Sequence, residues 1–265
     1  MARLAERPRA AIANALVTLE LTARHRLRLP GRLRRIEVRE RGARLALLVE
    51  DIGDVHAVRE VFADSTYELS PAAREALGGE CRVIADLGSH IGASVAWFRA
   101  QFPAARIIGF EPNPRSYRKL ADVAVGWPGV DVHRVAIAGA PGRRRLSIPS
   151  DEQINARLAA DGANGAGPEV DCLTLAQACD RAGVERIDLL KLDIEGSELE
   201  VLRAFPGLDR VRVTIGEFHP GLAGDRADLE AALAGFETKW TEQPKGDPLF
   251  VAVNVRAAPA PAADA

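Results

Sequence analysis

Seven residues, Asp86 to Gly92, have the composition of a loop that holds a small-molecule cofactor. The stretch reads Asp-Leu-Gly-Ser-His-Ile-Gly, follows a short apolar run and leads into a helical pattern. Its two glycines would let the backbone approach a ligand closely, and the helix that follows would point free N–H groups at that ligand. Glu111 closes the next apolar run, where a carboxylate can accept the hydroxyl protons of a ribose.

The spacing of this loop distinguishes between two cofactors. A nicotinamide fingerprint reads Gly-x-Gly-x-x-Gly, and here His90 occupies the position of the middle glycine. Asp86, two residues before the first glycine, would repel a diphosphate but could accept hydrogen bonds from an ammonium group. S-adenosylmethionine has an amino acid end and no phosphate, and it is therefore the predicted cofactor.

A second set of polar residues follows a later apolar run. Ile187 to Leu192 is nearly continuously apolar, as a central parallel strand should be. Asp193 and Glu195 come directly after it, so both carboxylates are expected at the ligand crevice. Like charges this close together are costly unless they bind something. Lys191, inside the run, is expected to pair with a carboxylate or to extend towards solvent.

A hydroxyl acceptor would also need a base to remove its proton. His219 follows the next predicted strand, and histidine is the usual base near neutral pH, although a lone histidine can equally be structural. The predicted catalytic residues are His219, Asp193 and Glu195, and no metal ligand is assigned. One alternative stays open, a Mg²⁺ ion held by Asp193, Glu195 and Glu217, since hard oxygens suit this cation.

Strand and helix patterns alternate from Arg82 onward, which predicts a doubly wound, mainly parallel α/β sheet of the Rossmann-like type. Two successive strands, Phe236 to Thr241 and Leu249 to Val253, predict an antiparallel edge. Val130 to Ile137 is predicted as one strand. Asp151 to Glu169, rich in Gly, Ala, Asp and Asn, is predicted as a mobile loop. Ligands of such sheets bind at the carboxyl ends of the strands, where both sets of polar residues lie.

The N-terminal part is predicted as a helical and β extension of this domain. Pro30-Gly31 ends a helix predicted over the first 30 residues. The apolar positions of that helix have helical spacing: Ile12, Ala15, Leu16, Leu19 and Ala23. Ile36 to Tyr67 is predicted as a small strand pair or a strand–helix piece. The predicted organisation is an extension at residues 1–70, the cofactor-binding domain at 71–256, and a disordered Ala/Pro tail at 257–265.

Charge is distributed unevenly along the chain. The net charge is -2, but residues 1–45 contain 12 Arg and 4 Glu, a net of +8. The overall balance argues against a nucleic-acid binder, and the basic helix is predicted to make a homodimer contact or to contact an acidic or membrane surface. Three cysteines without paired spacing are typical of the cytoplasm. The apolar run Ile12 to Leu21 is too short to span a bilayer, so no integral membrane segment is predicted.

Several stretches together carry a more specific pattern: Val83 to Gly92, Gly109 to Asn113, Ile187 to Glu198, Tyr67-Glu68 and Val135 to Ile137. In combination they resemble the FkbM family of S-adenosylmethionine-dependent methyltransferases, over about residues 60–255. The resemblance implies a methyltransferase sheet of about seven strands, with Asp193 and Glu195 beside the reactive methyl group. Family members act in macrolide, sugar and polysaccharide pathways, so the expected acceptor is a small molecule or a glycan.

The predicted cofactor contacts are Asp86, Gly88, Ser89, His90, Gly92, Glu111, Pro112, Asn113, Ala136 and Asp193. The predicted function is methyl transfer from S-adenosylmethionine to a hydroxyl in a biosynthetic pathway, and the arginine bias hints at a bacterial source. Two alternatives stay open: a nicotinamide-dependent oxidoreductase, and a non-catalytic scaffold that keeps the fold.

Overall fold

A computed structural model describes residues 7–148, 156–159, 167–222, 224–243 and 246–256, with side chains described from residue 14 onward. The helices of these ranges are α1 (Arg7–Arg26), α2 (Ile52–Phe62), α3 (Pro71–Leu77), α4 (Ala93–Gln101), α5 (Pro114–Ala124), α6 (Leu175–Ala182), α7 (Glu198–Ala204) and α8 (Arg226–Ala232). The strands are β1 (Arg34–Glu40), β2 (Ala43–Val49), β3 (Val83–Leu87), β4 (Arg106–Phe110), β5 (Val130–His133), β6 (Ala136–Ile137), β7 (Gly142–Ser147), β8 (Arg157–Leu158), β9 (Glu169–Leu173), β10 (Ile187–Leu192), β11 (Val211–Glu217), β12 (Phe236–Thr241) and β13 (Leu249–Asn254).

A sheet of seven strands, counted over the described ranges, forms the centre of the fold. Its strand order is β12-β13-β11-β10-β3-β4-β5. The strands from β11 to β5 are parallel to one another, and β13 runs antiparallel to both β11 and β12. The predicted doubly wound sheet with an antiparallel edge is confirmed. Chain order reverses between β3 and β10, so a crevice opens there at the carboxyl ends of the strands.

Apolar clusters cover both faces of this sheet. Every residue of β10 is buried. Successive side chains of this strand point to opposite faces of the sheet, as in any strand. Leu189 belongs to the cluster on one face and Leu190 to the cluster on the other. Burial on both faces explains why this segment reads as a nearly continuous apolar run.

The N-terminal extension packs against one face of the sheet. β1 and β2 form an antiparallel hairpin whose turn residues, Arg41 and Gly42, have positive φ angles of 48° and 87°. Leu47 of this hairpin and Ile84 of β3 lie in the same apolar cluster. The extension therefore shares a core with the sheet, and the predicted domain boundary at residue 70 stays a prediction.

Helix α1 was predicted, but the face that packs against the rest of the protein is not the face of the predicted apolar row. Leu21 is 1% exposed, Val17 packs against the first apolar cluster, and the Asn14 side chain donates to a backbone carbonyl of β1. Leu16 and Leu19 are instead 62% and 67% exposed. The members of the predicted row whose side chains are described, Ala15, Leu16, Leu19 and Ala23, are all exposed. No helix in the described part of the chain is both long enough and apolar enough to traverse a lipid bilayer.

The predicted single strand from Val130 to Ile137 is wrong. The chain leaves the main sheet after His133, through a turn in which the Val135 N–H donates to the His133 carbonyl at 3.1 Å. β6 then pairs with β9 in a smaller sheet. No glycine or proline marks this turn, so the apolar pattern continues across it.

The predicted loop from Asp151 to Glu169 is wrong in part. Its described residues include β8 and the first residue of β9. Residues 151–155 and 160–166 lie outside the described ranges, as does the predicted tail at 257–265.

Candidate active site

A cavity of about 500 Å³ opens at the carboxyl ends of the parallel strands. Its walls combine the loop after β3, the acid after β4 and the polar residues after β10 and β11. Residues of the extension and of β8 contribute as well. The lining includes Tyr67, Gly88, Ser89, His90, Glu111, Pro112, Ala136, Arg157, Asp193, Glu195, Glu217 and His219. The two predicted signatures therefore meet in one chamber.

Glu111 faces this cavity and ties two of its loops together. Its carboxylate accepts the backbone N–H of His90 at 2.8 Å and that of Asn113 at 2.7 Å. The residue is 6% exposed, and burial raises the pKa of Glu111 to about 7, although these two N–H groups act in the opposite direction. Each carboxylate oxygen keeps acceptor capacity for a ligand hydroxyl.

The His90 ring lines the cavity as a neutral group. Burial and the nearby Lys119 charge lower the pKa of His90 to about 3. Its Nε2 lies 3.5 Å from the Asp54 carboxylate. The backbone of His90 has a φ of 47°, which turns its N–H towards Glu111. The main contribution of His90 to the loop is thus a local hydrogen bond.

Lys191 is the cation beneath the cofactor loop. Its ammonium group donates to the carbonyl oxygens of Leu87 at 3.2 Å and Gly88 at 2.6 Å, and it lies 3.2 Å from Asp86 and 3.5 Å from Asp193. The side chain is 1% exposed. Burial alone would lower the pKa of Lys191, but the two carboxylates outweigh burial and raise it. The ammonium partner of Asp86 is therefore within the chain itself.

The two loop glycines are required by packing within the protein. A Cβ at Gly88, which has a φ of 81°, would overlap the carbonyl oxygen of Asp193. A Cβ at Gly92, with a φ of 93°, would meet a methyl group of Leu120 at 2.7 Å. Gly88 thus lets the ends of β3 and β10 approach each other, and Gly92 lets α4 pack on α5.

Asp193 is held by a residue from the extension. The hydroxyl of Tyr67 donates to Asp193 Oδ2 at 2.6 Å. Burial alone would raise the pKa of Asp193, but the charges of Lys191 and His219 outweigh burial and lower it. Asp193 is therefore an oriented carboxylate at the cavity wall.

His219 and the acids around it form the other polar wall. Its Nδ1 lies 2.9 Å from Glu198, and its Nε2 lies 3.5 Å from Glu195. Burial would lower the pKa of His219, but the hydrogen bond to Glu198 and the surrounding carboxylates raise it to about 10. Burial and the charge of Asp193 raise the pKa of Glu195 to about 7 and that of Glu217 to about 8. The wall therefore concentrates negative charge around one imidazole.

Most predicted site residues lie on the cavity wall. Those that line it are Gly88, Ser89, His90, Glu111, Pro112, Ala136, Asp193, Glu195 and His219. Asp86, Gly92 and Asn113 do not line it. Asp86 also accepts the Ser94 hydroxyl at 2.6 Å, and Asn113 caps α5. These three residues support the site from behind.

Sequence reasoning assigned no site role to Lys191, Tyr67 or Glu198. A signal existed for Lys191, because a lysine within a strand buried on both faces must be paired. Tyr67 and Asp193 are separated by 126 positions, and no local pattern links them. Glu198 reads as an ordinary acid in the first turn of a helix.

Comparison with known proteins shows which family the chain resembles. Residues 86–238 match the sequence model described as the methyltransferase FkbM domain. The chain is 29% identical over 215 residues to the methyltransferase sdnD of Sordaria araneosa, covering 66% of this chain and 78% of that protein. It is 25% identical over 234 residues to the 31-O-demethyl-FK506 methyltransferase FkbM of Streptomyces tacrolimicus, covering 74% and 85%.

A third relative is named for a hexuronic acid substrate. The chain is 27% identical over 147 residues to the hexuronic acid methyltransferase AglP of Haloferax volcanii, covering 53% of this chain and 57% of that protein. The family match over more than half of the chain decides against the nicotinamide and scaffold alternatives.

Replacing Lys191 by methionine should destabilise the protein by about 3 to 5 kcal/mol, since it leaves the buried Asp86 carboxylate without its partner. The double variant Lys191→Met/Asp86→Asn should recover much of that loss, because both charges are then absent. Urea unfolding of the three forms measures these differences. Lys239→Met, on an exposed strand position, is the control. A Lys191→Met variant as stable as this control would contradict the assignment.

The affinity for S-adenosylhomocysteine should rise as the pH is raised from 6 to 8. The pKa of Glu111 is raised to about 7, so its carboxyl is mostly protonated at the lower pH and ionised at the higher one. A charge-assisted hydrogen bond contributes about 1.5 to 3 kcal/mol, so Glu111→Gln should weaken binding at pH 8 and remove most of the pH dependence.

Isothermal titration calorimetry at both pH values checks this expectation. Glu237→Gln, which changes an exposed acid of β12, provides the matched control. An unchanged pH dependence in Glu111→Gln would exclude Glu111 as its source.

Proposed function

The chain belongs to the FkbM methyltransferase family, and we propose that it transfers the methyl group of S-adenosylmethionine to a hydroxyl of a small molecule or glycan. Methyltransferase activity and S-adenosylmethionine as the methyl donor follow from the family. The acceptor and the residue roles are the proposal. One observation carries it: the cofactor loop with Glu111 and the cluster of Asp193, Glu195 and His219 line the same cavity.

The name of one relative, the 31-O-demethyl-FK506 methyltransferase, supports oxygen as the methylated atom. The name of another, a hexuronic acid methyltransferase, supports a sugar-type acceptor. The polar wall of the cavity agrees with such acceptors, since it offers several carboxylates and one imidazole to hydroxyl groups. Hydroxyl groups donate to carboxylates and accept from an imidazole N–H, so this wall suits a polyhydroxylated molecule.

We place the cofactor in the part of the cavity that is lined by Glu111, His90 and Ala136. The ribose hydroxyls would donate to Glu111, beside the neutral His90 ring. The adenine would lie against Ala136 and the adjoining Ile137, both of which line the cavity. The sulfonium would then face Asp193, whose negative charge matches it.

The chemistry asked of the protein is mainly positioning. Methyl transfer is an in-line displacement, and holding donor and acceptor in line can supply much of its acceleration. We assign Asp193, Glu195 and His219 to the acceptor hydroxyl, which must lose its proton. The hydrogen bond to Glu198 and the surrounding carboxylates raise the pKa of His219, so we assign removal of the proton to the three residues together and not to His219 as a lone base.

Incubation with methyl-labelled S-adenosylmethionine and a panel of sugars, uronic acids, macrolides and amines tests this proposal. We expect label on an oxygen of one hydroxylated acceptor, located by mass spectrometry. Asp193→Asn should lower kcat at least tenfold, about 1.4 kcal/mol, while S-adenosylhomocysteine still binds. Labelling of nitrogen alone, or no binding of S-adenosylhomocysteine, would overturn the proposal.

The cellular setting is also part of the proposal. The cysteines Cys81, Cys172 and Cys179 are free thiols. Free thiols support a reducing cytoplasm as the location.

We further propose that α1 joins two copies of the chain. Leu16 and Leu19 of α1, and Leu27 directly after its last residue, are each more than 60% exposed. Exposed apolar side chains that lie together mark interaction surfaces. A twofold axis can pack such a row against itself, because the same patch then serves both subunits. Glu20 follows Leu19 in α1 and forms an ion pair with Arg34 of β1.

Replacing Leu16 and Leu19 together by serine should convert a dimer into a monomer. Light scattering after size-exclusion chromatography measures the mass of each form. Val125→Ser, which changes a side chain that is 90% exposed at the end of α5, should leave the dimer intact. A monomeric wild type, or a dimeric double variant, would contradict the assignment.

A further inference from the structure

We infer that Asp193, Glu195 and His219 form a binding site for a divalent transition-metal cation. One ligand atom of each residue lies within 4.8 Å of the ligand atoms of the other two. Asp193 and Glu195 follow β10, and His219 follows the adjacent parallel strand β11. Two neighbouring strand ends therefore bring these three side chains to the same point of the cavity wall.

The orientation of His219 is the observation that points to a ligand. The residue is 5% exposed, and its Nδ1 is bonded to Glu198 at 2.9 Å. Within the described part of the chain, Nε2 has the Glu195 carboxylate 3.5 Å away and makes no hydrogen bond. A buried imidazole that lines the cavity is thus fixed through one nitrogen, while the other lies beside the Glu195 carboxylate. Metal-binding histidines are held by a carboxylate in this way.

Glu198 is itself fixed in place. It is fully buried, and its Oε1 also accepts the N–H groups of Ile194 and Gly196 at 3.2 Å each. These two N–H groups belong to the turn that carries Glu195. The turn and the histidine are therefore tied to one carboxylate, so the relative position of Glu195 and His219 does not depend on flexible side chains.

The charge around the three residues also favours a cation. Glu60, Glu217 and Asp247 line the same cavity. Lys191 lies 3.5 Å from Asp193, but it is also paired with Asp86 and donates to two backbone carbonyls, so its single positive charge is divided between two carboxylates. Carboxylates crowded in this way repel one another unless a cation lies between them.

The donor set selects the kind of metal. Two carboxylates and one imidazole suit Mn²⁺, Fe²⁺ or Zn²⁺, whereas an all-oxygen set would suit Mg²⁺ or Ca²⁺. The sequence left open a Mg²⁺ site with Glu217 as the third ligand. In the structure, Glu217 Oε1 is taken by Gln243 at 3.1 Å and by the Asp247 N–H at 3.2 Å, and His219 is the third member.

Such a site would deepen the proposed function, on which its role rests. Three protein ligands leave at least one position open, and here that position faces the cavity. An acceptor hydroxyl bound there is polarised by the metal and loses its proton to water. The oxygen then forms the bond to the methyl carbon, and the carbon–sulfur bond breaks with its electron pair on sulfur.

Titration with MnCl₂, followed by the electron paramagnetic resonance signal of free Mn²⁺, tests the site directly. The full chain is first treated with EDTA and dialysed. We expect one Mn²⁺ per chain, and we expect His219→Gln and Glu195→Gln each to weaken binding at least tenfold, about 1.4 kcal/mol. Glu237→Gln, which removes an exposed acid of β12 outside the cavity lining, should bind Mn²⁺ like the wild type. Circular dichroism melting confirms that each variant is folded.

Binding that is absent, or equally strong in His219→Gln, would overturn the inference. The binding of S-adenosylhomocysteine to the metal-free chain is measured alongside. If Mn²⁺ does not bind while the metal-free chain binds S-adenosylhomocysteine, the metal site is wrong and the methyltransferase function stands. If the chain does not bind this ligand even with Mn²⁺ present, the proposed function itself fails.

Discussion

The site depends on one buried ammonium group, that of Lys191. This cation lies on the central strand of the sheet and is 1% exposed. It contacts the carbonyls that end β3, the carboxylate of Asp86 and that of Asp193. A charge in such a place is tolerated only when it is paired and hydrogen-bonded, so its partners are fixed with it. The loop after β3 and the Asp193 carboxylate after β10 are thereby held by the same atom.

The ends of β3 and β10 also approach each other closely beside this ammonium group. Gly88 lies directly against the backbone of Asp193, where any Cβ would overlap. Tyr67, from the extension, then donates to Asp193 Oδ2, the oxygen that also lies 3.5 Å from Lys191. Rigid strand ends, a buried cation and one long-range hydrogen bond therefore orient a single acid. Catalysis that relies on positioning needs this kind of support around the groups that touch the ligand.

The pattern of apolar residues along the sequence predicted the strands and loops that the central sheet buries or positions. β10 has the predicted bounds, because a strand buried on both faces leaves a continuous apolar run. The cofactor loop and Glu111 were also found at the predicted edge, since topology brings the ends of parallel strands together. The features that were missed depend on contacts between residues that are distant in the sequence. The apolar row of α1 was predicted correctly, yet its spacing does not say which side meets the protein. The turn after His133 and the contact between Tyr67 and Asp193 depend on partners that are remote in sequence.

The most direct measurement is a crystal structure of the chain with S-adenosylhomocysteine bound. The ribose hydroxyls should lie within hydrogen-bond distance of Glu111, and the sulfur should face the cluster of Asp193, Glu195 and His219. That arrangement would join donor and acceptor chemistry in the cavity at the carboxyl ends of the strands. A ligand bound elsewhere, or with its ribose turned away from Glu111, would contradict the assignment of this cavity as the methyl-transfer site.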